Sequence, residues 1–235
     1  MAERSFYARP TPGLPQTPAP DRTGFDRVLA RQRMLRQPQS FEWIHDVHPP
    51  WPTRRDRRAR VQLLPLMVLR GESTGAIPAG YSVRILAADD PELPSTLAAI
   101  GLSYGTPGTA VGPVGSAERD AATTPDEHHE SAYADIRDGR TVLAIAADRT
   151  GPIGGGSHSP RGGVTEITGV GTLPAHRRRG LGAAVTHALA ADAAAHGVDL
   201  CFLTAGSTEI ARVCAGVGFV RIGSSGIAEP IQPAG

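Results

Sequence analysis

Apolar positions along the chain change spacing every ten to twenty residues, and the spacing predicts the elements. Tyr81-Ser-Val-Arg-Ile-Leu86 alternates like a half-buried strand. Leu93–Leu102 predicts a helix, and the apolar run Thr141–Ala147 a buried strand. Asp148–Gly151 turns that run back into Ile153–Ser157, and Gly162-Gly163 turns it again into Val164–Leu173, an antiparallel meander. A long helix is expected from near Arg177 to His196, with Leu181, Val185, Ala188 and Leu189 as its buried stripe and Gly197 as its terminator. Leu200–Leu203 follows as a buried strand. Ser207 or Thr208 would cap a further helix whose stripe is Ile210, Val213, Cys214 and Val217. Gly218 stops that helix, and Phe219–Ile222 begins a last strand.

The first third of the chain is less regular. Residues 1–22 read as a flexible Pro- and Thr-rich tail and 24–36 as a helix ended by Pro38. Phe41–Ile44 suggests a short strand. Leu63–Leu69 suggests another, with Pro65 arguing for an edge strand or a strand start. Gly71–Gly80 is a candidate linker. Residues 104–131 are rich in Gly, Pro, Thr and acids and predict a long loop, with a short helix at Ala117–Ala122.

Composition narrows the class. The chain has 235 residues, 40% hydrophobic and 20% charged, as expected of a folded globule. With a formal net charge of +1, charge alone calls for neither a nucleic-acid nor a membrane partner. All 24 basic residues are Arg, and Lys and Asn do not occur, which suggests a GC-rich bacterial genome. The two cysteines, Cys201 and Cys214, form no CxxC pair, so neither zinc nor a disulfide framework is expected. Arg4 and Arg9 precede no apolar core, and no apolar stretch is long enough for a membrane helix, so the cytoplasm is the expected compartment.

The most informative stretch is Gly169-Val-Gly-Thr-Leu-Pro-Ala-His-Arg177-Arg-Arg-Gly180-Leu-Gly182. A strand runs into a basic, Gly-containing loop that opens directly into a helix. Free amides in the first helical turn, the positive end of the helix dipole and glycines that admit close approach suit a pyrophosphate. Arg178 and Arg179 would pair with further phosphate. A dinucleotide fold would place such a loop after the first strand of a parallel series, and a Walker A loop needs the Lys that this chain lacks.

Arg177-x-x-Gly180-x-Gly182, after a strand ending in Thr-Leu-Pro, resembles the R/Q-x-x-G-x-G/A signature of the GNAT N-acetyltransferase superfamily. Glu209-Ile-Ala-Arg-Val-Cys-Ala-Gly-Val-Gly-Phe219 is similar to that family's second signature. The likeness covers residues 80–230 and is strongest over 164–222. It implies an α+β (α/β three-layer) GNAT fold: a mixed, mostly antiparallel twisted sheet flanked by helices and splayed between the fourth and fifth strands. The implied division is a tail (1–22), an N-terminal segment (23–79) and a GNAT domain (80–235).

The resemblance also implies an activity, transfer of an acetyl group from acetyl-CoA to a primary amine, with no metal. Val170, Gly171 and Thr172 would hold the pantetheine arm by strand addition. The loop Arg177, Arg178, Arg179, Gly180, Leu181 and Gly182 would hold the pyrophosphate. Glu166, eleven residues before Arg177, lies in the register where some relatives carry a catalytic Glu. Cys214 stands where many relatives have the Tyr that protonates the leaving thiolate. It would act as the acid or serve only as a small buried hydrophobe. The partner expected is an amine acceptor, small molecule or protein, and a homodimer is compatible with the sequence. The alternative function is a non-catalytic acyl-CoA-binding sensor.

Other polar groups carry weaker readings. His158 is expected at a strand end, facing the acceptor or solvent. His128-His129, and His45 with His48, read as polar loops more than as metal ligands. The basic run Arg54–Arg60 reads as a solvated face. Phe41-Glu42-Trp43 and Pro65–Val68 resemble strands of the N-terminal piece of some bacterial GNAT proteins, a second, degenerate unit that would serve acceptor recognition.

Overall fold

The structure is a computed structural model and describes residues 27, 30–34, 41–44, 59–106, 108–124 and 129–230. Its elements are β1 (Phe41–Ile44), β2 (Ala59–Leu69), β3 (Ser82–Ile85), α1 (Leu93–Tyr104), α2 (Ser116–Ala122) and α3 (Glu130–Arg137). They continue with β4 (Val142–Asp148), β5 (Gly151–Arg161), β6 (Val164–Thr172), α4 (Leu181–Ala195), β7 (Leu200–Thr204), α5 (Thr208–Val217) and β8 (Phe219–Pro230). The described residues fall into two units, one reaching to Leu66 and resuming at Ile222, the other Met67–Arg221. The tail, His45, His48, His128 and most of the Arg54–Arg60 run lie outside the described residues; of the expected helix over 24–36, residues 27 and 30–34 are described and helical.

In the larger unit the strand order is β7-β6-β5-β4-β3, and the expected antiparallel meander is present from β3 to β6. β6 and β7 are parallel, joined through α4. The eight strands of the described residues are thus of mixed direction, and helices cover both faces of the larger unit's sheet, the α+β GNAT architecture. β4 shows why its sequence is apolar without alternation. Ala144 and Ala146 join the cluster built with Leu181, Val185 and Leu189 of α4, while Leu143, Ile145 and Ala147 join Leu93, Leu97 and Ile100 of α1. Both faces of the strand are buried.

The ends of α5 agree with the sequence. Ser207 Oγ accepts from the Ile210 amide at 3.2 Å, and Gly218 closes the helix at φ 113°. Its stripe is turned from the expected one: Cys214 and Val217 are buried, but Val213 is exposed. In α4 the buried side is Leu181, Ala184, Val185, Leu189, Ala190 and Ala193, with Ala188 only half-buried. α4 also begins later than expected. Pro174–His176 form a 3-10 turn, and Arg178 (φ 64°) and Gly180 (φ 83°) adopt left-handed backbone that a helix cannot contain. β2 starts at Ala59, so Pro65 sits inside it; a strand needs only the φ that proline already has and loses one donor. α3 falls largely beyond the expected loop and carried no clear stripe, because none of its residues is fully buried.

In the smaller unit β1 pairs antiparallel with β8, Phe41 opposite Ala228 through Ile44 opposite Ser225. Trp43 lies flat over Gly226, where a β-carbon would stand 2.2 Å from the indole. Among the described residues no helix is long and apolar enough to cross a membrane.

Close packing of α1 on the sheet depends on Gly155. A β-carbon on Gly155 would meet the Ala144 carbonyl oxygen at 2.5 Å, with Ile100 and Thr96 of α1 both at 3.1 Å. The backbone atom cannot yield as a side chain would, so Gly155→Ala is expected to cost about 1–3 kcal/mol. Denaturant unfolding of the wild-type and variant chains measures it.

Candidate active site

The ladder between β6 and β7 covers three pairs: Val164 with Leu200, Thr165 with Cys201 and Glu166 with Phe202. Both strands run on, β6 to Thr172 and β7 to Thr204, so the sheet parts just beyond Glu166. On its other side β6 pairs with β5, and there the register shifts: Ser157 is opposite Thr168 but Gly155 is opposite Gly171. The extra residue in β6 is a bulge, and Gly169 within it has φ 68°. A bulge at this point re-aims the backbone of Val170–Thr172, the residues expected to hold the pantetheine arm. Nothing in the hydrophobic pattern distinguishes it. The Gly169-Val-Gly171 spelling was its one visible trace.

Strand alternation sorts the side chains. Ser157 Oγ lies 3.2 Å from Thr168 Oγ1, and Ser159 is opposite Glu166. Glu166, Thr168 and Ser157 therefore share one face. α1 covers that same face, since a β-carbon on Gly171 would fall 1.9 Å from Ser103 Oγ. Glu166 is buried, with 8% of its surface exposed, and it occupies the last paired position before the strands part.

The opposite face holds His158, and here the expectation fails. His158 is neither at a loop nor turned to an acceptor: it is 1% exposed, with Nδ1 2.9 Å from Thr165 Oγ1 and Nε2 2.9 Å from Asp192 Oδ2. Asp192 on α4 draws the ring under the sheet, and this pairing spans 34 residues of sequence. The network braces β6 against α4.

Arg177 also departs from its expected task. Its guanidinium, 9% exposed, donates to the carbonyls of Ser103 (2.6 Å), Thr106 (2.8 Å), Ala110 (3.2 Å) and Thr172 (3.3 Å). The side chain is turned inward and occupied, so it holds the end of α1 and the loop after it to the end of β6. Only its backbone remains on the basic loop. The cause is the carbonyls left free at the last turn of α1 and in the loop after it, which attract a cation.

The rest of the loop faces outward. The first backbone bond of α4 is Ala184 N–H to the Gly180 carbonyl, at 3.1 Å, so the amides of Leu181, Gly182 and Ala183 have no partner inside the helix. A β-carbon on Gly182 would meet no atom within 4 Å. The Arg179 guanidinium donates to the Tyr81 hydroxyl and to the Ala175 carbonyl. His176 Nδ1 stands 3.5 Å from Asp148 Oδ2, and burial holds this imidazole below its ordinary pKa despite the carboxylate.

Cys214 is 5% exposed and lies in the cluster of Leu203, Val217 and Phe219. Burial pushes its thiol up to about 11. An acid so weak, within an apolar cluster, is poorly matched to a thiolate whose conjugate acid titrates near 8.5. Cys201 is also buried, its thiol pushed up to about 12 by desolvation.

Known proteins share this fold. Residues 114–214 match the family model described as Acetyltransferase (GNAT) family. No curated protein matches the sequence. Among solved structures, a GCN5-related N-acetyltransferase from Kribbella flavida is 20% identical, with a TM-score of 0.60 over 90% of this chain and 74% of that one. A GCN5-related N-acetyltransferase from Sphaerobacter thermophilus is 16% identical, with a TM-score of 0.58 over 90% of this chain and 66% of that one. A tandem GNAT protein from the clavulanic acid biosynthesis pathway is 14% identical, with a TM-score of 0.51 over 91% of this chain and 70% of that one. At these identities the likeness is one of fold, and it agrees with the family match: over residues 114–214 the chain is similar to the GNAT acetyltransferase family.

Proposed function

We propose that this protein transfers an acetyl group from acetyl-CoA to a primary amine, directly, with both substrates bound together. The observation that carries the proposal is the parting of β6 from β7 just beyond Glu166, on the strand that leads through a left-handed turn to the open start of α4. The amides of Leu181–Ala183 and the backbone of Arg178–Gly180 receive the pyrophosphate. Val170–Thr172 pair with the pantetheine amides, and the thioester enters the gap between the strands.

Glu166 takes the proton that the amine must lose. It is buried at the parting and faces α1, which leaves the far side of the sheet to the His158 brace. Cys214 donates no proton and fills space. The acceptor is a small-molecule or protein amine that enters from the side of α1 and the loop after it. A sensor that binds acyl-CoA without turning it over is the competing function, favoured only by the absence of an acid at position 214.

Three substitutions separate these roles. Gly182→Glu has room for its side chain, and its charge suits a helix N-terminus, so the fold is expected to keep its stability. The same charge repels pyrophosphate, and acetyl-CoA affinity should fall about 10-fold or more by calorimetric titration. Glu166→Gln should bind acetyl-CoA as the wild type does while kcat drops by about 10²–10⁴, read as CoA release over a panel of amines. If the wild type binds acetyl-CoA but releases no CoA with any amine, the sensor function stands instead. For Cys214→Ala, kcat is expected to remain within about twofold of wild type, with a loss of roughly 1 kcal/mol of stability for the emptied volume; a strong fall in kcat with binding intact would return Cys214 to the mechanism.

A further inference from the structure

The candidate linker Gly71–Gly80 is fastened along its length. The Arg70 amide donates to the Gly218 carbonyl at 3.2 Å and the Thr74 amide to the Val217 carbonyl at 2.9 Å. Thr74 Oγ1 donates to the Gly216 carbonyl at 3.3 Å, so the start of the segment is anchored on the end of α5. Ser73 Oγ lies 2.9 Å from His187 Nδ1, and Gly75 packs so closely on α4 that a β-carbon there would stand 2.6 Å from His187 Cβ. Further on, the Pro78 ring reaches Gly180, with Cγ 3.5 Å from where a β-carbon would be. The Tyr81 hydroxyl then accepts from Arg179. Positions 180 and 187 are about two turns apart and share one side of α4. The segment is therefore a strap that runs along that side, from the end of α5 to the loop expected to hold the pyrophosphate.

One strap residue has no packing role. Ile77, immediately before Pro78, is 51% exposed and belongs to neither core cluster. A lone exposed aliphatic is ordinary. This one is held open on a pinned backbone, beside a basic loop. Coenzyme A extends two ways from its pyrophosphate. The pantetheine arm is expected along Val170–Thr172, so the adenosine half leaves the loop by another side, and the strap is the segment in contact with Arg179 and Gly180. The charge is complementary as well. Arg178 is exposed, in left-handed backbone, and its side chain has no hydrogen-bond partner among the described residues. The adenosine half carries a 3′-phosphate that suits such a guanidinium.

We propose that the strap Ser73–Tyr81 is the adenosine site of the coenzyme, with Ile77 and the Pro78 ring as an apolar shelf for the adenine, a role that rests on the acetyl-transfer function proposed above. Adenine laid on this shelf removes apolar surface from water on both partners. Because the strap is already pinned to α4 and α5, little of that gain is lost to ordering it. The consequence is donor specificity. The protein selects acyl groups carried by coenzyme A over the same arm carried without adenosine.

Binding reads this without knowledge of the acceptor. Calorimetry compares acetyl-CoA with acetyl-4′-phosphopantetheine, the same arm cut at the pyrophosphate, on the wild type and on Ile77→Ser. The truncated donor is followed by its displacement of acetyl-CoA. Ile77 is exposed and outside the core, so the variant is expected to fold as the wild type does. The wild type should prefer acetyl-CoA by about 10-fold or more. Ile77→Ser should bind acetyl-CoA about fivefold more weakly, for the apolar surface lost from the shelf, and the truncated donor within about twofold of wild type. Unchanged acetyl-CoA affinity in Ile77→Ser, an equal loss for both donors, or a wild type that binds both donors equally overturns the strap as the adenosine site and leaves the acetyl-transfer function standing. Failure of the wild type to bind acetyl-CoA at all overturns that function itself.

Discussion

The site depends on one buried cation. Arg177 reaches from the turn after β6 and donates to four carbonyls, three of them on the end of α1 and the loop that follows. Hydrogen bonds to a charged group are worth about 1.5–3 kcal/mol each before desolvation is subtracted. Their geometric consequence matters more than their sum. They tie the end of the strand expected to carry pantetheine to the end of α1 and the loop after it.

Glycine makes that proximity achievable. Gly155 and Gly171 are paired across β5 and β6, and both face α1, where a β-carbon on either would strike a neighbour. A helix can then sit against the sheet at backbone distance. A third glycine, Gly169, admits the left-handed backbone of the bulge, and the bulge turns the end of β6 away from the regular ladder. Two consequences follow from one local composition: a close α1 and a redirected strand.

The two faces of β6 divide the labour. Towards α4, Thr165, His158 and Asp192 form a closed polar network in an otherwise apolar layer, where every partner found offsets a desolvation cost. Towards α1 stands Glu166, next to the parting of the strands. The bracing groups and the group proposed to take the proton are therefore kept apart by the sheet itself.

Much of the fold was legible in the sequence because it rests on local signals. Alternation and apolar runs marked the meander, Gly197, Ser207 and Gly218 marked helix ends, and Arg177-x-x-Gly180-x-Gly182 marked the loop where β6 hands over to α4. Such features are set by neighbours a few residues away, so spacing is enough to show them. The sequence by itself therefore determined the family resemblance, the order of most elements and the candidate pyrophosphate loop. Only the tertiary structure decided which way the polar side chains turn. Arg177 points inward because carbonyls 67 to 74 residues earlier are left free at the end of α1 and in the loop after it; His158 is buried because Asp192 meets it from α4. Each is an encounter between residues far apart in the chain, and the energy of a hydrogen bond or a close contact has no trace in sequence until folding brings the partners together.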